Sequence, residues 1–308
     1  RFPDIDRRTL ANGVRLWTVE HRQASLITLV LVIPTGSGSD PPHKAGLAAL
    51  TADLLDEGSR DRDGIELHKA LARIGGYLNT EVTSDATVLS LTALARHTYD
   101  AVSLLIEIAT QPRFDPSEFE RVRELRVNRL TQTQQAPSTI ADKVFLETLY
   151  GAHPYGHLTI GTEPSLRALA VDDAATFHAK WYVPSRWTLI AVGDVGDSGL
   201  RQRTATLAGA IPDSSGPRPS VDRLGPSDPP PPRERLVFVP RDGAVQSEIR
   251  LGHVGAARST PDYHALLVLN MVLGGQFVSR LNRSLREEKG YTYGAYSTFS
   301  ALKYPGAW

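Results

Sequence analysis

The chain has 308 residues, with 34 basic and 34 acidic side chains, so its formal net charge is zero. This balance lacks the basic excess that a dedicated binder of nucleic acid or of a membrane surface needs. The absence of cysteine excludes disulfides, thiolate metal sites and cysteine nucleophiles. The longest apolar stretch, Leu26–Ile33, is too short to span a bilayer. The composition fits cytoplasm or periplasm and selects neither.

Hydrophobic periodicity predicts a mixture of strands and helices. Gly13–Glu20 alternates apolar and polar residues, His21–Ser25 has turn composition, and Leu26–Ile33 is typical of a buried strand, so we predict a hairpin here. Further strands are predicted at Tyr77–Val82, Thr87–Leu94 and Trp187–Gly193, and helices at about Lys44–Glu57, Gly64–Ile74, Ala101–Thr110, Pro116–Gln134, Pro137–Leu149, Val171–Trp181 and Gly199–Ala210.

A proline-rich segment predicts a domain boundary. Ile211–Arg233 holds eight of the chain's 21 prolines, a composition that favours an extended, stiff spacer. We therefore expect an N-terminal domain over residues 1–210, a linker over 211–233 and a second domain over 234–308.

The opening pattern recurs after this linker. Arg235–Val239 is similar to Arg15–Val19, Ser247–Gly252 parallels the first buried strand, and an apolar helix is predicted at Asp262–Leu273. The same order and similar spacing indicate two related domains. Because the second copy is much shorter than the first, we expect the natural chain to continue beyond Trp308.

The segment from Gly46 to Ser59 resembles the metal helix of the pitrilysin/insulinase-type (inverzincin) peptidases. In that pattern two histidines, four residues apart on one helix face, hold zinc, and the glutamate before the second histidine activates the zinc-bound water. The corresponding residues here are Ala49, Ala52 and Asp53. The family's third ligand, a glutamate on a later helix, corresponds to Arg129. The resemblance therefore implies no zinc in this chain and no peptide hydrolysis by it alone. Without the resemblance, the segment is simply an amphipathic core helix.

Other motifs extend the resemblance over essentially the whole chain. They are Leu10–Val14, Gly75–Asn79, His153–His157 with Ile160–Thr162, Trp181-Tyr182 and Val192–Asp194. The resemblance implies an α+β fold of two related domains, each with a mixed, largely antiparallel sheet flanked by helices. Together they would form half of a peptidase clamshell, with the second domain incomplete. Proline and glycine between His153 and His157 prevent a helix, so we do not expect these two histidines to bind a metal.

The second domain carries a more specific signature of the same family, in Leu273–Leu281 and Leu285–Gly294. The resemblance implies that Arg286 and Tyr293 hydrogen-bond the substrate backbone near the scissile carbonyl. An arginine offers several donors to carbonyl oxygens, and a tyrosine hydroxyl can donate to a developing oxyanion. The alternative is that Arg286 pairs with neighbouring glutamates and Tyr293 fills a strand face.

A strand edge is a second candidate contact for a peptide. Asn79 and Thr80 lie in a segment that, by the same resemblance, could pair with an extended peptide by strand addition. In this chain the edge would only guide the peptide, because the zinc ligands beside it are missing.

We therefore expect a non-catalytic, substrate-holding subunit of a two-subunit zinc peptidase. Its partners would be a catalytic chain of the same family, which holds the zinc, and a peptide, and the isolated chain could form a homodimer. One alternative is a scaffold subunit related to degenerate processing-peptidase and respiratory core proteins. Another is an enzyme with a relocated metal site, for which the nearby acidic candidates are Asp53, Asp56, Glu57 and Asp85.

Overall fold

A computed structural model describes residues 3–21, 23–134, 136–194, 204–206, 209, 211 and 235–308. These residues form two compact units. The N-terminal unit comprises residues 1–133 and 158–222, and the C-terminal unit comprises 134–157 and 223–308. The predicted linker after Ile211 and most of the helix predicted at Gly199–Ala210 lie outside the described residues.

The N-terminal unit combines strands and helices along the chain. Its strands are β1 (Ile5–Thr9), β2 (Arg15–Glu20), β3 (Leu26–Ile33), β4 (Gly58–Ser59), β5 (Arg62–Asp63), β6 (Tyr77–Val82), β7 (Thr87–Leu94) and β8 (Thr188–Gly193). Its helices are α1 (Leu47–Asp53), α2 (Gly64–Arg73), α3 (Thr98–Thr110), α4 (Pro116–Gln134), α6 (Glu163–Ala168) and α7 (Val171–Trp181), while α5 (Pro137–Tyr150) belongs to the C-terminal unit.

Six of these strands form one sheet in the order β1-β2-β8-β3-β7-β6. All neighbours are antiparallel except β2 and β8, which are parallel. This mixed, largely antiparallel sheet flanked by helices confirms the predicted fold class.

The predicted hairpin between β2 and β3 is wrong, because β8 lies between these two strands. The C-terminal end of β8 lies between β2 and β3 and is hydrogen-bonded to both sides. The His21 amide donates to the Gly193 carbonyl at 2.8 Å, and the Asp194 amide donates to the Leu26 carbonyl at 3.1 Å. The connection from residue 21 to 25 therefore crosses two strand spacings, about 9.5 Å. Five residues can span that distance, so the local sequence permits either arrangement.

The core of the N-terminal unit lies on one face of the sheet. Ile27, Leu29, Leu31 and Ile33 alternate along β3 and are almost fully buried, while the intervening residues are half-buried. Helix α3 packs against β3 and β7, and α1 contacts α7 and β6. The core therefore fixes α1 beside the free edge strand of the sheet.

The C-terminal unit contains α8 (Tyr263–Leu273), α9 (Arg280–Asn282) and a π-helical turn (Arg283–Glu288). Residues 134–157 pack within this unit: the Tyr150 hydroxyl donates to the Pro305 carbonyl at 3.1 Å, and Arg250 pairs with Asp142 at 2.6 Å. The compact units thus differ from the division at residue 210 that the prolines indicate.

The strands predicted at Arg235–Val239 and Ser247–Gly252 are not formed. Most of their apolar side chains are exposed, and the described part of this unit contains a single isolated bridge, between Val254 and Ala307. A strand needs a partner edge to satisfy its backbone groups, and the described residues offer these segments none. The apolar helix predicted at Asp262–Leu273 is confirmed as α8.

Gly161 allows the loop before α6 to approach the start of α1. It has a φ of 87°, and a Cβ there would overlap the Ala45 carbonyl oxygen. We expect Gly161→Ala to lower the free energy of unfolding by about 2–4 kcal/mol, from backbone strain plus overpacking. Urea unfolding followed by tryptophan fluorescence measures this, since three of the four tryptophans lie in the N-terminal unit.

Gly75→Ala is the matched control for this prediction. Gly75 also has a positive φ, of 60°, but a Cβ there would make only ordinary van der Waals contacts with Leu94. We expect a loss of about 1 kcal/mol from strain alone. Equal losses for the two variants would contradict the close approach at Gly161.

Candidate functional site: a metal helix without metal ligands

The three positions of the degenerate metal motif lie on or at the end of α1. Ala49 and Ala52 are buried in the core, and only Asp53 reaches solvent, with 44% of its side chain exposed. Helix α1 is seven residues long and ends at Asp53, earlier than the predicted end near Glu57. The positions that correspond to the first histidine and to the catalytic glutamate are therefore packing positions.

An arginine contacts the single carboxylate that remains at this site. Arg126 on α4 pairs with Asp53: its Nε lies 3.1 Å from Oδ2, and its terminal Nη2 bonds the same oxygen. The Arg126 side chain is only 9% exposed, so the guanidinium is largely shielded from solvent. Arg129, to which the third-ligand position was assigned from the sequence, lies one turn further along α4 and is exposed. The residue that sequence reasoning missed is thus Arg126.

This donor set does not fit zinc. Two alanine methyl groups cannot coordinate a metal, and the carboxylate of Asp53 is already neutralised by a guanidinium. Of the other acidic candidates, Glu57 pairs with Arg121, Asp56 lies 3.9 Å from a ring nitrogen of His68, and Asp85 lies in the loop between β6 and β7. Across the described ranges, no group of three or more histidine, aspartate or glutamate side chains could hold a metal ion.

Asp40 fastens the start of α1. Its two carboxylate oxygens accept hydrogen bonds from the backbone amides of Gly46 and Ala48, each at 2.7 Å. Burial raises the pKa of Asp40 to about 7, against the opposing effects of these two amides and of Arg126. The protonation state of Asp40 is therefore coupled to the folding of the degenerate helix.

The candidate peptide edge is the outer strand of the sheet. β6 is the last strand in the order and pairs antiparallel with β7, with Asn79 opposite Ser90 and Thr80 opposite Leu89. Asn79 is exposed and Thr80 is half-buried. Both residues lie within the strand, and their backbone belongs to an edge that can accept a further strand.

The candidate substrate-holding residues lie in the C-terminal unit. Arg286 belongs to the π-helical turn, and its guanidinium carbon lies 4.4 Å from the ring centroid of Phe277. Tyr293 follows that turn and is 88% exposed. Within this turn, Glu288 forms an ion pair at 3.4 Å with Arg283. The Arg286 guanidinium thus lies over an aromatic ring.

Comparison with known proteins identifies the family. The family model "Insulinase (Peptidase family M16)" matches residues 16–163, and "Peptidase M16 inactive domain" matches residues 168–308. The chain belongs to peptidase family M16. As a member of that family it carries, in its C-terminal half, the domain described as inactive.

Relatives and solved structures agree with this assignment. An uncharacterized zinc protease of Bacillus subtilis, YmxG, is 24% identical over 98% of this chain and 72% of its own length. A protein of Helicobacter pylori named non-peptidase homolog YmxG is 24% identical over 87% of this chain and 61% of its own length. The crystal structure of a peptidase M16 inactive domain from Pseudomonas fluorescens has a TM-score of 0.86 at 26% identity, covering 99% of this chain and 73% of that one.

The M16 chain shows no candidate membrane span in its described part, since none of the helices there is both long and apolar enough to cross a bilayer.

The buried carboxyl of Asp40 predicts a pH-dependent stability. Its pKa in the folded chain lies above its ordinary value of 3.8, so between about pH 4 and 7 the folded state binds more protons than the unfolded state. The Asp40 contribution to stability therefore falls as the pH rises through this window, by up to roughly 1.4 kcal/mol per pH unit. We expect urea unfolding from pH 4 to 8 to show a smaller decline for Asp40→Asn than for the wild type.

Asp115→Asn supplies a control of opposite sign. Hydrogen bonds from the Ser117 hydroxyl and amide lower the pKa of Asp115, so its contribution is present at neutral pH and is lost as the pH falls through the folded-state pKa. Parallel pH profiles for wild type and Asp40→Asn would show that the Asp40 pKa is not raised by folding.

Proposed function

We propose that this chain is the non-catalytic, substrate-holding subunit of a two-subunit zinc peptidase. The observation that supports this most strongly is the Asp53–Arg126 ion pair at the degenerate metal position. The Arg126 guanidinium occupies the one carboxylate at this position, so metal-dependent hydrolysis would require a second chain. The partner would be a catalytic M16 chain with intact ligands, and its zinc would supply the Lewis acid and the activated water.

Arg286 and Tyr293 would act on the substrate rather than on the fold. Arg286 can donate to peptide carbonyl oxygens from a restrained position, since its guanidinium lies over the Phe277 ring. Tyr293 extends into solvent, where its hydroxyl can reach a bound peptide. Placed beside the partner's zinc, a tyrosine hydroxyl would stabilise the oxyanion that develops at the scissile carbonyl.

The substrate class follows from backbone recognition. The proposed donors and the free edge of β6 all address main-chain groups, which every peptide presents. The favoured substrates are thus extended peptides or unfolded segments, with little dependence on side-chain sequence. Asn79 and Thr80 would guide such a peptide along the edge without cleaving it.

The central prediction concerns the turnover of the reconstituted complex. We expect Arg286→Ala to lower kcat by about 10²-fold, a magnitude typical of removing one transition-state donor, while assembly with the catalytic chain is unchanged. Tyr293→Phe should lower kcat without loss of stability, because it removes only an exposed hydroxyl. Turnover of a quenched fluorescent peptide and analytical ultracentrifugation measure the two properties.

Arg283→Ala is the matched control, because Arg283 is an exposed arginine of the same π-helical turn and pairs with Glu288. It should leave turnover within about twofold of wild type. Normal turnover of Arg286→Ala would favour the scaffold alternative. Stoichiometric zinc together with peptide cleavage by the isolated chain would instead show that this chain carries its own active site.

A further inference from the structure

A buried asparagine connects the two segments that carry Arg286 and Tyr293. Asn282, at the end of α9, is 3% exposed. Its Nδ2 donates to the Phe277 carbonyl at 2.6 Å, and its Oδ1 accepts from the Ala295 amide at 3.1 Å. One side-chain amide thus joins the backbone before α9 to the backbone that follows the π-helical turn.

The first of these bonds acts on the aromatic support of Arg286. Phe277 is 63% exposed, so few packing contacts restrain its ring. The Asn282 bond holds the Phe277 backbone, and the ring attached to that backbone lies under the guanidinium. Asn282 also precedes Arg286 by about one helical turn. The positions of Arg286 and of the Phe277 ring are therefore both set relative to Asn282.

The second bond acts on the segment of Tyr293. Ala295 lies two residues after Tyr293, and between them the Gly294 amide donates to the Thr292 hydroxyl at 3.2 Å. This local turn transmits the fixed position of Ala295 back to Tyr293. The exposed tyrosine therefore gains its place from the backbone and not from packing of its ring.

A second buried asparagine holds the same segment further along. Asn270 on α8 donates to the Ser297 carbonyl at 3.0 Å and accepts from the Ser297 hydroxyl at 2.7 Å. Ser297 also contacts Gly274, where a Cβ would overlap it. The segment after Tyr293 is thus tied at two points, and the tie nearer to the tyrosine is the one that also reaches Phe277.

We propose that Asn282 is a positioning residue that sets the spacing between Arg286 and Tyr293. This inference rests on the proposed function, in which the two side chains contact one peptide. Two donors that must meet the same backbone need a fixed separation, and a buried amide with both ends bonded provides it.

The two ends of the amide can be tested separately. Asn282→Asp keeps an acceptor for the Ala295 amide but loses the donor to Phe277, whereas Asn282→Ala loses both. We expect kcat of the reconstituted complex to fall about tenfold for Asn282→Asp and further for Asn282→Ala, with KM changing less. The Arg286 Nε–H signal in NMR spectra, which the Phe277 ring should shift upfield, should move toward the value of a free arginine in both variants.

Two further variants keep the test decisive. Asn12→Ala is the matched control, since Asn12 is a buried asparagine of the N-terminal unit that also bonds two backbone groups, the Ile211 carbonyl and the Val14 amide. It should cost stability without moving the Arg286 signal. If Asn282→Ala does not fold, comparing Phe277→Leu with Phe277→Tyr tests whether the aromatic ring positions Arg286. Only the tyrosine variant should retain the shifted Arg286 Nε–H signal and wild-type turnover.

The outcomes separate this inference from the proposed function. Loss of turnover in Arg286→Ala, together with wild-type turnover and an unmoved Arg286 signal in folded Asn282→Asp, would overturn the positioning role alone. Wild-type turnover in Arg286→Ala would overturn the proposed function, while the NMR signal would still report whether Asn282 holds the arginine.

Discussion

The insertion of β8 between β2 and β3 is the constraint on which the N-terminal unit depends. It brings residues 188–193 into register with two strands near the start of the chain, parallel to one and antiparallel to the other. Helix α7 precedes β8 and packs on α1. The same long-range pairing that completes the sheet therefore also positions the degenerate helix, and no metal is needed to hold that helix in place.

The side chains and end groups of α1 at the degenerate metal position make structural contacts. Its alanines are buried, its N-terminal amides bond Asp40, and Asp53 at its other end bonds Arg126. An ion pair between α1 and α4 links the same two helices that metal ligands would link, without an exchangeable ligand. The polar groups at this position thus stabilise the packing of α1. Restoring a single histidine would not be enough to rebuild a zinc site here.

The sequence predicts local structure well and long-range structure poorly. Periodicity located β6, β7, α4 and α7 to within a residue, because one face or stripe of each is less exposed than the other. The β2–β3 pairing was wrong because β8 is distant in sequence and displaces a connection that is locally plausible. Arg126 and Arg129 lie one turn apart on α4, and spacing alone could not decide which reaches Asp53. Asn282 carried no signal, since its bonds depend on two loops.

The two units differ in how their polar side chains are used. This difference allows effects on stability to be separated from effects on function. At the degenerate metal position of the N-terminal unit, Asp53 is paired with the largely buried Arg126, so removing either charge changes stability and obscures any functional effect. In the C-terminal unit, Arg286 instead lies over an exposed aromatic ring and Tyr293 extends into solvent. The buried Asn282 holds the backbone of the segments that carry them. Under the proposed function, the exposure of Tyr293 and the contact of Arg286 with an exposed ring reflect binding of a peptide rather than a requirement of the fold.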